Sequence, residues 1–239
     1  MKESVDFPVI AMMRSPFKEK FGIPRQPNLV DVPCYIELIA PYNDAAAFDG
    51  IEAFSHLWLL WVFHDNKKQQ GFKPQVRPPR LGGNQKIGVF ATRSMYRPAN
   101  IGLSVVKLMG VEQQDHGIRL CVTGSDLLDG TPILDIKPYI TYSDAVLDAQ
   151  SSYAVEAPIA KQVFWHTQAL NQRAELLQQQ YTSEQELKYV EQVLALDPKP
   201  AYQKDINRVY GLRFSDLEVK FKVGTQDVFI VALQYVDMV

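Results

Sequence analysis

The sequence predicts a mainly β protein, in which a closed or nearly closed antiparallel β-barrel is followed by a small α+β unit. Two observations favour the barrel: the first 150 residues carry roughly seven short apolar segments separated by Gly, Pro, Asn or Asp, and no regular helices alternate with them. A doubly wound parallel sheet is therefore disfavoured. The sequence also lacks the GxGxxG fingerprint of dinucleotide-binding folds.

The predicted barrel strands are rich in Val, Ile, Leu and aromatic residues, the composition of half-buried pleated segments. They span residues 5–13, 34–40, 57–62, 86–92, 103–112, 117–125 and 133–136. Between the third and fourth strands, residues 67–83 form a loop containing Pro and paired Gly residues. A loop of this length is either functional or a mobile hairpin connection.

The pattern changes in the last third of the chain. Apolar residues spaced along 157–180 predict an amphipathic helix, with Pro158 in its first turn. Thr182 or Ser183 can cap a second helix over 184–196, and three strands follow at 206–214, 217–223 and 228–236, the last two joined by a tight turn at 224–227. We therefore expect two domains, 1–154 and 155–239.

Composition places the chain among soluble globular proteins, with 46% hydrophobic and 22% charged residues in 239. The two cysteines, Cys34 and Cys121, lack metal-ligand spacing, so we expect no metal site and a reducing, cytoplasmic location. The N-terminus is followed by no apolar segment typical of a signal peptide. No apolar run approaches the ~20 residues that span a bilayer, so no membrane partner is expected.

Charge is distributed unevenly along the chain. The net charge is −2, yet residues 66–111 contain nine basic residues and no acidic one. They are Lys67, Lys68, Lys73, Arg77, Arg80, Lys86, Arg93, Arg97 and Lys107. This basic segment indicates either an anion-binding surface, as for nucleic acid, or an unevenly charged solvated face.

Two arginines lie in a loop bent by Pro98 and Gly102, after the fourth predicted strand. The planar guanidinium groups of Arg93 and Arg97 suit carboxylate or phosphate recognition, or they pair with surface acids. A second stiffened loop, Pro24-Arg25-Gln26-Pro27, offers a guanidinium and an amide, or is an ordinary surface loop.

Three further positions carry titratable groups. His64 and Asp65 follow the strand 57–62, where they could bind ribose hydroxyls, move a proton or form a solvated pair. The acidic loop 126–132 could receive an amine or a ribose, or form an Asp-Gly turn. We expect His56 to be a hydrogen-bonded, partly buried imidazole.

These segments resemble the TsaA-like family of tRNA methyltransferases, the TrmO proteins, also called YaeB in bacteria. The family signature is present as Gly88-x-Phe90-x-x-Arg93-Ser94-x-x-Arg97-Pro98, and residues 127–139 also match the family. Residues 24–26, 54–58 and 64–65 occur in the expected order, and 197–202 with 208–211 resemble the bacterial form. The resemblance covers nearly the whole chain.

The resemblance implies a single-sheeted barrel, a homodimer and S-adenosylmethionine as cofactor. It implies methyl transfer to N6 of N6-threonylcarbamoyladenosine (t6A), the nucleoside 3′ of the tRNA anticodon, giving m6t6A. By similarity, the cofactor pocket is lined by Pro24, Arg25, Gln26, His64, Asp65, Arg93, Leu103, Leu127, Leu128, Asp129 and Gly130.

The partner implied by this resemblance is a tRNA anticodon stem-loop. The family ties the element matched by Asp197, Pro198, Lys199 and Tyr202 to tRNA use. Phosphates and the threonyl carboxylate need cations, for which Arg77, Arg80 and Arg97 are candidates, and Tyr96 could stack on a splayed base. Two positions depart from the family: Asn100 is displaced by one residue, and Lys199 replaces an Arg, losing its bidentate fork.

Methyl transfer to a urea-type N6 is favoured by removing the nitrogen's proton, and His64 and Asp65 are candidate acceptors. Two other function classes stay open from the residues. The first is a non-catalytic RNA- or nucleotide-binding β-barrel, in which the basic segment is the whole function. The second is a hydrolase using His56 or His64 with Asp65, which the lack of a nucleophile elbow and of a metal-ligand set disfavours.

Overall fold

The computed structural model describes residues 5–66, 71–82, 84–115, 117–200, 203 and 205–236, with only the backbone of Arg80. Within these ranges there are twelve strands and three α-helices. The strands are β1 (Ala11–Arg14), β2 (Cys34–Leu38), β3 (His56–Val62), β4 (Gln75–Val76), β5 (Ile87–Gly88), β6 (Ile101–Gln114), β7 (Gly117–Thr123), β8 (Pro132–Pro138), β9 (Gln162–Trp165), β10 (Val209–Phe214), β11 (Leu217–Val223) and β12 (Asp227–Tyr235). The helices are α1 (Thr141–Asp144), α2 (Thr167–Gln178) and α3 (Glu184–Ala195).

Six antiparallel strands form the first sheet in the order β1-β2-β7-β6-β3-β8, and β8 also pairs with β1, so the sheet is a closed barrel. Burial alternates along the strands because successive side chains point to opposite faces. On β3, Leu57, Leu59 and Trp61 are buried while their neighbours are partly exposed. The mainly β class predicted from the sequence is thus confirmed.

A second, four-stranded sheet has the order β10-β11-β12-β9, with β9 parallel to β12. Its hydrophobic core includes Leu187, Val190 and Leu194 of α3. The same core also contains Phe17, Val30 and Val32, which precede β2 in the chain. Residues from the first half of the sequence therefore help to build the second core.

Two predicted elements are present only in part. Of the strand expected at 86–92, only Ile87–Gly88 pairs, with β4, and a 3-10 turn at Val89–Ala91 follows, closed by the Thr92 hydroxyl donating to the Val89 carbonyl at 2.8 Å. The helix expected over 157–180 begins only at Thr167. Residues 162–165 form β9 instead, because pairing with β12 over Val228–Ile230 outweighs the helical spacing.

Three smaller expectations have clear outcomes. The first strand is shorter than predicted and begins at Ala11. The turn between β11 and β12 occupies the predicted place, since β11 ends at Val223 and β12 begins at Asp227. His56 is partly buried and its Nδ1 is hydrogen-bonded to Ser55 Oγ at 2.9 Å, as expected. No helix in the described ranges is long and apolar enough to span a membrane.

Chain direction in the barrel brings several loops to one end. β1, β3 and β7 end there, whereas β2, β6 and β8 begin there, because neighbouring strands are antiparallel. The connecting segments 15–33, 63–66, 89–100 and 124–131 therefore share this end, which we call the site mouth. Most of the residues predicted to bind cofactor lie in these segments.

Gly102 on β6 tests how tightly the barrel wall is packed at the site mouth. A Cβ atom at this residue would overlap the buried indole of Trp61 on the paired strand. We expect Gly102→Ala to lower the free energy of unfolding by about 1–3 kcal/mol in urea denaturation. Gly110→Ala on the same strand is the control, because nothing lies within 4 Å of its added Cβ. Equal stability of the two variants would contradict this packing.

Candidate active site at one mouth of the barrel

The two predicted arginine loops meet at the site mouth. Arg93 Nη1 donates to Gln26 Oε1 at 2.7 Å, and Gln26 Nε2 donates to the Arg25 carbonyl at 2.6 Å. Arg25 Nη2 donates in turn to the Lys199 carbonyl at 3.3 Å. The structure thus joins the 24–26 loop, the 89–100 loop and the C-terminal unit through consecutive hydrogen bonds.

Asp126 lies in the 124–131 segment of this mouth, between β7 and β8. Ser104 Oγ donates to Asp126 Oδ1 at 2.6 Å, and Trp61 Nε1 donates to Ser104 Oγ at 3.0 Å. Because an indole N–H can only donate, the Ser104 proton is directed to the carboxylate. Burial raises the pKa of Asp126 to about 6, while the hydrogen bond from Ser104 and the charge of Arg93 lower it. Part of the residue is nevertheless exposed.

The loop 127–130 is fastened to the end of β1. Asp129 accepts from the Ser15 backbone N–H and from Lys18 Nζ, both at 2.9 Å, and Leu127 is fully buried. Gly130 adopts a positive φ of 71° with open space beside its Cα. Leu128 and Gly130 in this loop are partly exposed, and we assign neither of them to holding the loop in place.

His64 and Asp65 are both exposed, immediately after β3. Asp65 Oδ2 pairs with Lys20 Nζ at 3.3 Å. The Phe63 N–H donates to the Asn100 carbonyl at 2.9 Å, which ties this segment to the start of β6. His64 and Asp65 thus lie at the site mouth, with the Asp65 carboxylate paired with Lys20.

Leu103 is half exposed on β6, and its sequence neighbour Ser104 is fully buried. Alternation along a strand places these two side chains on opposite faces of the barrel wall. The structure therefore brings Leu103 to the same edge as Ser104 and Asp126, but not to the same face.

Phe72 and Phe90 form an exposed aromatic pair that our sequence analysis did not assign to the site. Their ring centroids are 6.2 Å apart with an interplanar angle of 29°, and 60% and 69% of the two residues are exposed. The Arg97 guanidinium lies over the Phe90 ring at 5.5 Å and donates to the Thr92 carbonyl at 2.7 Å. Tyr96, 45% exposed, is nearby in sequence. The only sequence signal was Phe90 inside the signature.

The basic segment presents unpaired cations. In the described part of the chain, none of its basic side chains lies within 4.0 Å of a carboxylate oxygen, although such pairs occur on the other surfaces. The side chains concerned are Lys73, Arg77, Lys86, Arg93, Arg97 and Lys107. Lys67, Lys68 and Tyr202, and the side chain of Arg80, lie outside the described residues.

Asp197 and Lys199 form part of an internal ion-pair cluster. Asp197 Oδ2 lies 2.6 Å from Lys199 Nζ and 3.1 Å from Lys161 Nζ, and Lys161 also donates to the Gly224 carbonyl at 2.7 Å. The cluster closes the turn after α3, where Asp197 has a φ of 53°. The Lys199 carbonyl, next to this cluster, accepts the hydrogen bond from Arg25 Nη2.

Within the described residues, no group of three or more His, Cys, Asp or Glu side chains is arranged to hold a metal ion. The site mouth therefore offers arginine forks, amides, one desolvated carboxyl and exposed aromatic rings. That donor set can bind an anion and an aromatic base, and it can accept a proton.

Two family models match the chain. Residues 12–145 match the tRNA-methyltransferase O N-terminal domain, and residues 159–236 match the TrmO C-terminal domain. An Escherichia coli (strain K12) protein named tRNA (adenine(37)-N6)-methyltransferase is 43% identical over 97% of this chain and 98% of its own length.

Two further proteins are also similar to this chain over most of its length. A Pseudomonas aeruginosa protein, named as a candidate S-adenosylmethionine-dependent methyltransferase, is 47% identical over 91% of this chain and 92% of its own length. The crystal structure of TrmO from Pseudomonas aeruginosa matches with a TM-score of 0.78 and 36% identity, covering 98% of this chain and 100% of that chain. The similarity therefore includes both sheets.

The Asp197 cluster should stabilise the fold as well as the site mouth. Asp197→Ala leaves Lys161 and Lys199, only 14% and 20% exposed, without their carboxylate. We expect the free energy of unfolding to fall by about 2 kcal/mol in urea denaturation. Glu37→Ala is the control, since the Arg14–Glu37 pair is 51% and 44% exposed and should be worth less than about 0.5 kcal/mol. A similar loss in both variants would refute the role of the cluster.

Proposed function

Because this chain belongs to the TrmO family of S-adenosylmethionine-dependent tRNA (adenine-N6) methyltransferases, we propose that its substrate is t6A beside the anticodon and its product m6t6A. The observation that carries this proposal is the match of both domain models together with a full-length relative named for N6 of adenine 37. With this enzymatic function proposed, we retain neither of the two alternatives, a non-catalytic RNA- or nucleotide-binding barrel and a hydrolase.

The residues at the site mouth fit the chemistry of S-adenosylmethionine, a zwitterionic amino acid joined to a nucleoside. The Arg25 and Arg93 guanidinium groups suit its carboxylate, and the Gln26 amide beside them offers a further polar contact. His64 and Asp65 offer partners for ribose hydroxyls. When bound, the cofactor supplies a methyl group activated by a sulfonium.

We assign the cofactor pocket to the residues that the sequence predicts for it, and we infer the role of each residue from how deeply it is buried. Pro24 stiffens the loop that carries Arg25 and Gln26. Leu128 and Gly130 supply accessible surface, whereas Leu127 and Asp129 hold their loop in place. Leu103 contributes an apolar surface on the outer face of β6.

Substrate recognition is assigned to the rim beside the cofactor loops. The carboxylate of the threonyl group needs a cation, for which Arg97 and Arg80 are our candidates. Unstacked bases of an RNA loop commonly stack on aromatic side chains, and Tyr96 together with the Phe72–Phe90 pair offers such rings. The geometry supports recognition of a single-stranded base next to a negatively charged group.

The anticodon stem-loop is proposed to lie across the basic segment. Unpaired cations lose little by exchanging water for phosphate, and each phosphate contact releases condensed counterions. Arg77 and Lys73 are exposed members of this surface. Asp197, Lys199 and Tyr202 are assigned to tRNA use at the C-terminal unit, Asp197 by holding the turn that presents Lys199.

We propose a cytoplasmic homodimer, in which residues 1–154 are catalytic and 155–239 assist tRNA binding. Support for the dimer comes from large, mostly apolar side chains that are exposed in the segment 139–161, which connects β8 to β9. Tyr142, Leu147, Val155 and Ile159 are 91%, 98%, 74% and 89% exposed, and a second copy of the chain would cover such surface.

The substrate assignment is tested by mass spectrometry of tRNA nucleosides. We expect incubation with the protein and S-adenosylmethionine to add one methyl group, about 14 Da, to t6A in modified tRNA, since the urea and carboxylate are needed for recognition. The same tRNA made without the threonylcarbamoyl group is the control and should stay unmethylated. Methylation of both tRNAs at similar rates would sink the t6A assignment.

Arg77 tests the basic segment as the phosphate-binding surface. Arg77→Gln should weaken tRNA binding by about 3–10-fold and reduce the slope of log affinity against log salt by about one unit, because one phosphate contact is lost. Binding is measured by fluorescence anisotropy at several salt concentrations. Lys188→Gln, an exposed site on α3 outside the basic segment, should leave both values unchanged. The same loss in both variants would indicate only a general charge effect.

A further inference from the structure

Methyl transfer to N6 also requires a group that accepts the proton of N6. The nitrogen of t6A is flanked by a carbonyl and an aromatic ring, so its lone pair is delocalised and its proton must leave as the new bond forms. Of the two acceptors that the sequence suggests, Asp65 pairs with Lys20 at 3.3 Å and is 62% exposed at its side chain. The Asp65 carboxylate is thus bound by Lys20 and largely open to solvent.

The Asp126 carboxylate has the opposite surroundings. It lies in the 124–131 segment of the site mouth, where it accepts from the neutral hydroxyl of Ser104 at 2.6 Å and from its own backbone N–H. Ser104 is completely buried and receives the Trp61 indole N–H at 3.0 Å. The hydroxyl and indole therefore hold one carboxylate oxygen in a fixed orientation, while part of the residue remains exposed.

We infer that Asp126 is the proton acceptor for N6 in methyl transfer, and that Ser104 and Trp61 are positioning residues for it. This inference rests on the proposed function. N6 forms a bond to the methyl carbon while its N–H electron pair stays on nitrogen and its proton passes to Asp126. The electron pair of the breaking S–C bond remains on sulfur, so the products are m6t6A, S-adenosylhomocysteine and a neutral Asp126 carboxyl.

The titration of Asp126 agrees with this role. Its pKa of about 6 leaves the carboxylate ionised at neutral pH, yet more basic than an ordinary aspartate, as suits a general base. The groups that face it are the Ser104 hydroxyl on β6 and the Arg93 guanidinium from the 89–100 loop, with the Trp61 indole of β3 behind Ser104. Arg93 is a single exposed cation, so its charge offsets only part of the desolvation.

Asp126→Asn is the first test, in single-turnover methylation of t6A-containing tRNA at saturating S-adenosylmethionine. We expect the rate to fall by about 100-fold or more. Calorimetry should show S-adenosylhomocysteine binding within about 3-fold of the wild type, because the amide keeps the shape and accepts from Ser104. Asp135→Asn is the matched control: it removes a barrel carboxylate, paired with Lys137 at 2.7 Å, and should keep the full rate.

The pH dependence supplies the second test. The wild-type rate should decline below pH about 6 as Asp126 becomes protonated. Ser104→Ala should move this decline to higher pH, because a lost hydrogen bond to the ionised form raises the pKa. Without substrate, the melting temperature of Asp126→Asn relative to wild type should rise between pH 4 and pH 8. Over this range the buried wild-type carboxyl ionises at a cost to the folded state.

Three results would overturn the inference. They are an Asp126→Asn rate within about 3-fold of wild type, a loss confined to S-adenosylhomocysteine affinity, and a pH profile that Ser104→Ala leaves unchanged. Each leaves the proposed function intact, since the wild type still methylates t6A. A wild-type protein inactive on t6A-containing tRNA would instead refute both.

Discussion

The segment between β1 and β2 is shared by the two halves of the molecule, and the site depends on this sharing. Phe17 and Val30 belong to the core of the second sheet, where Phe17 packs edge-on against Phe214 with centroids 5.9 Å apart. Asn28 is bound to the barrel through the Gly124 carbonyl at 2.8 Å. Arg25 and Gln26, between these anchors, are therefore fixed by both cores. A change in either core would move the groups that meet Arg93.

Burial of the Asp126 carboxyl at the site mouth lowers the stability of the folded state when that carboxyl is ionised. An Asp desolvated by its surroundings disfavours its own ionised form, and the hydrogen bond from Ser104 and the charge of Arg93 return only part of that cost. Proteins retain such groups mainly where chemistry needs them. Asp129, three residues after Asp126, instead accepts hydrogen bonds from Lys18 and from a backbone N–H. We therefore regard Asp129 as a structural carboxylate and Asp126 as the reactive one.

The charge distribution divides the surface in a similar way. Acidic residues outside the basic segment accompany lysines and arginines in local pairs, such as Arg14 with Glu37 and Arg173 with Glu184. Inside the segment, no described basic side chain lies within 4.0 Å of a carboxylate oxygen, so the segment carries a local positive field. An overall charge of −2 conceals this local field.

The sequence by itself determined the mainly β class, most strand positions, and the loops that carry Arg25, Arg93 and Asp126, because these follow from local composition and turn residues. It also determined the family, through signature residues whose spacing is fixed along the chain. It could not determine that 162–165 is a strand, because that outcome depends on pairing with β12, 65 residues later in the chain. Nor could it pair Ser104 with Asp126 or place Phe17 in the second core. Only barrel closure and the shared segment decide those contacts, since they join residues whose spacing carries no local periodicity.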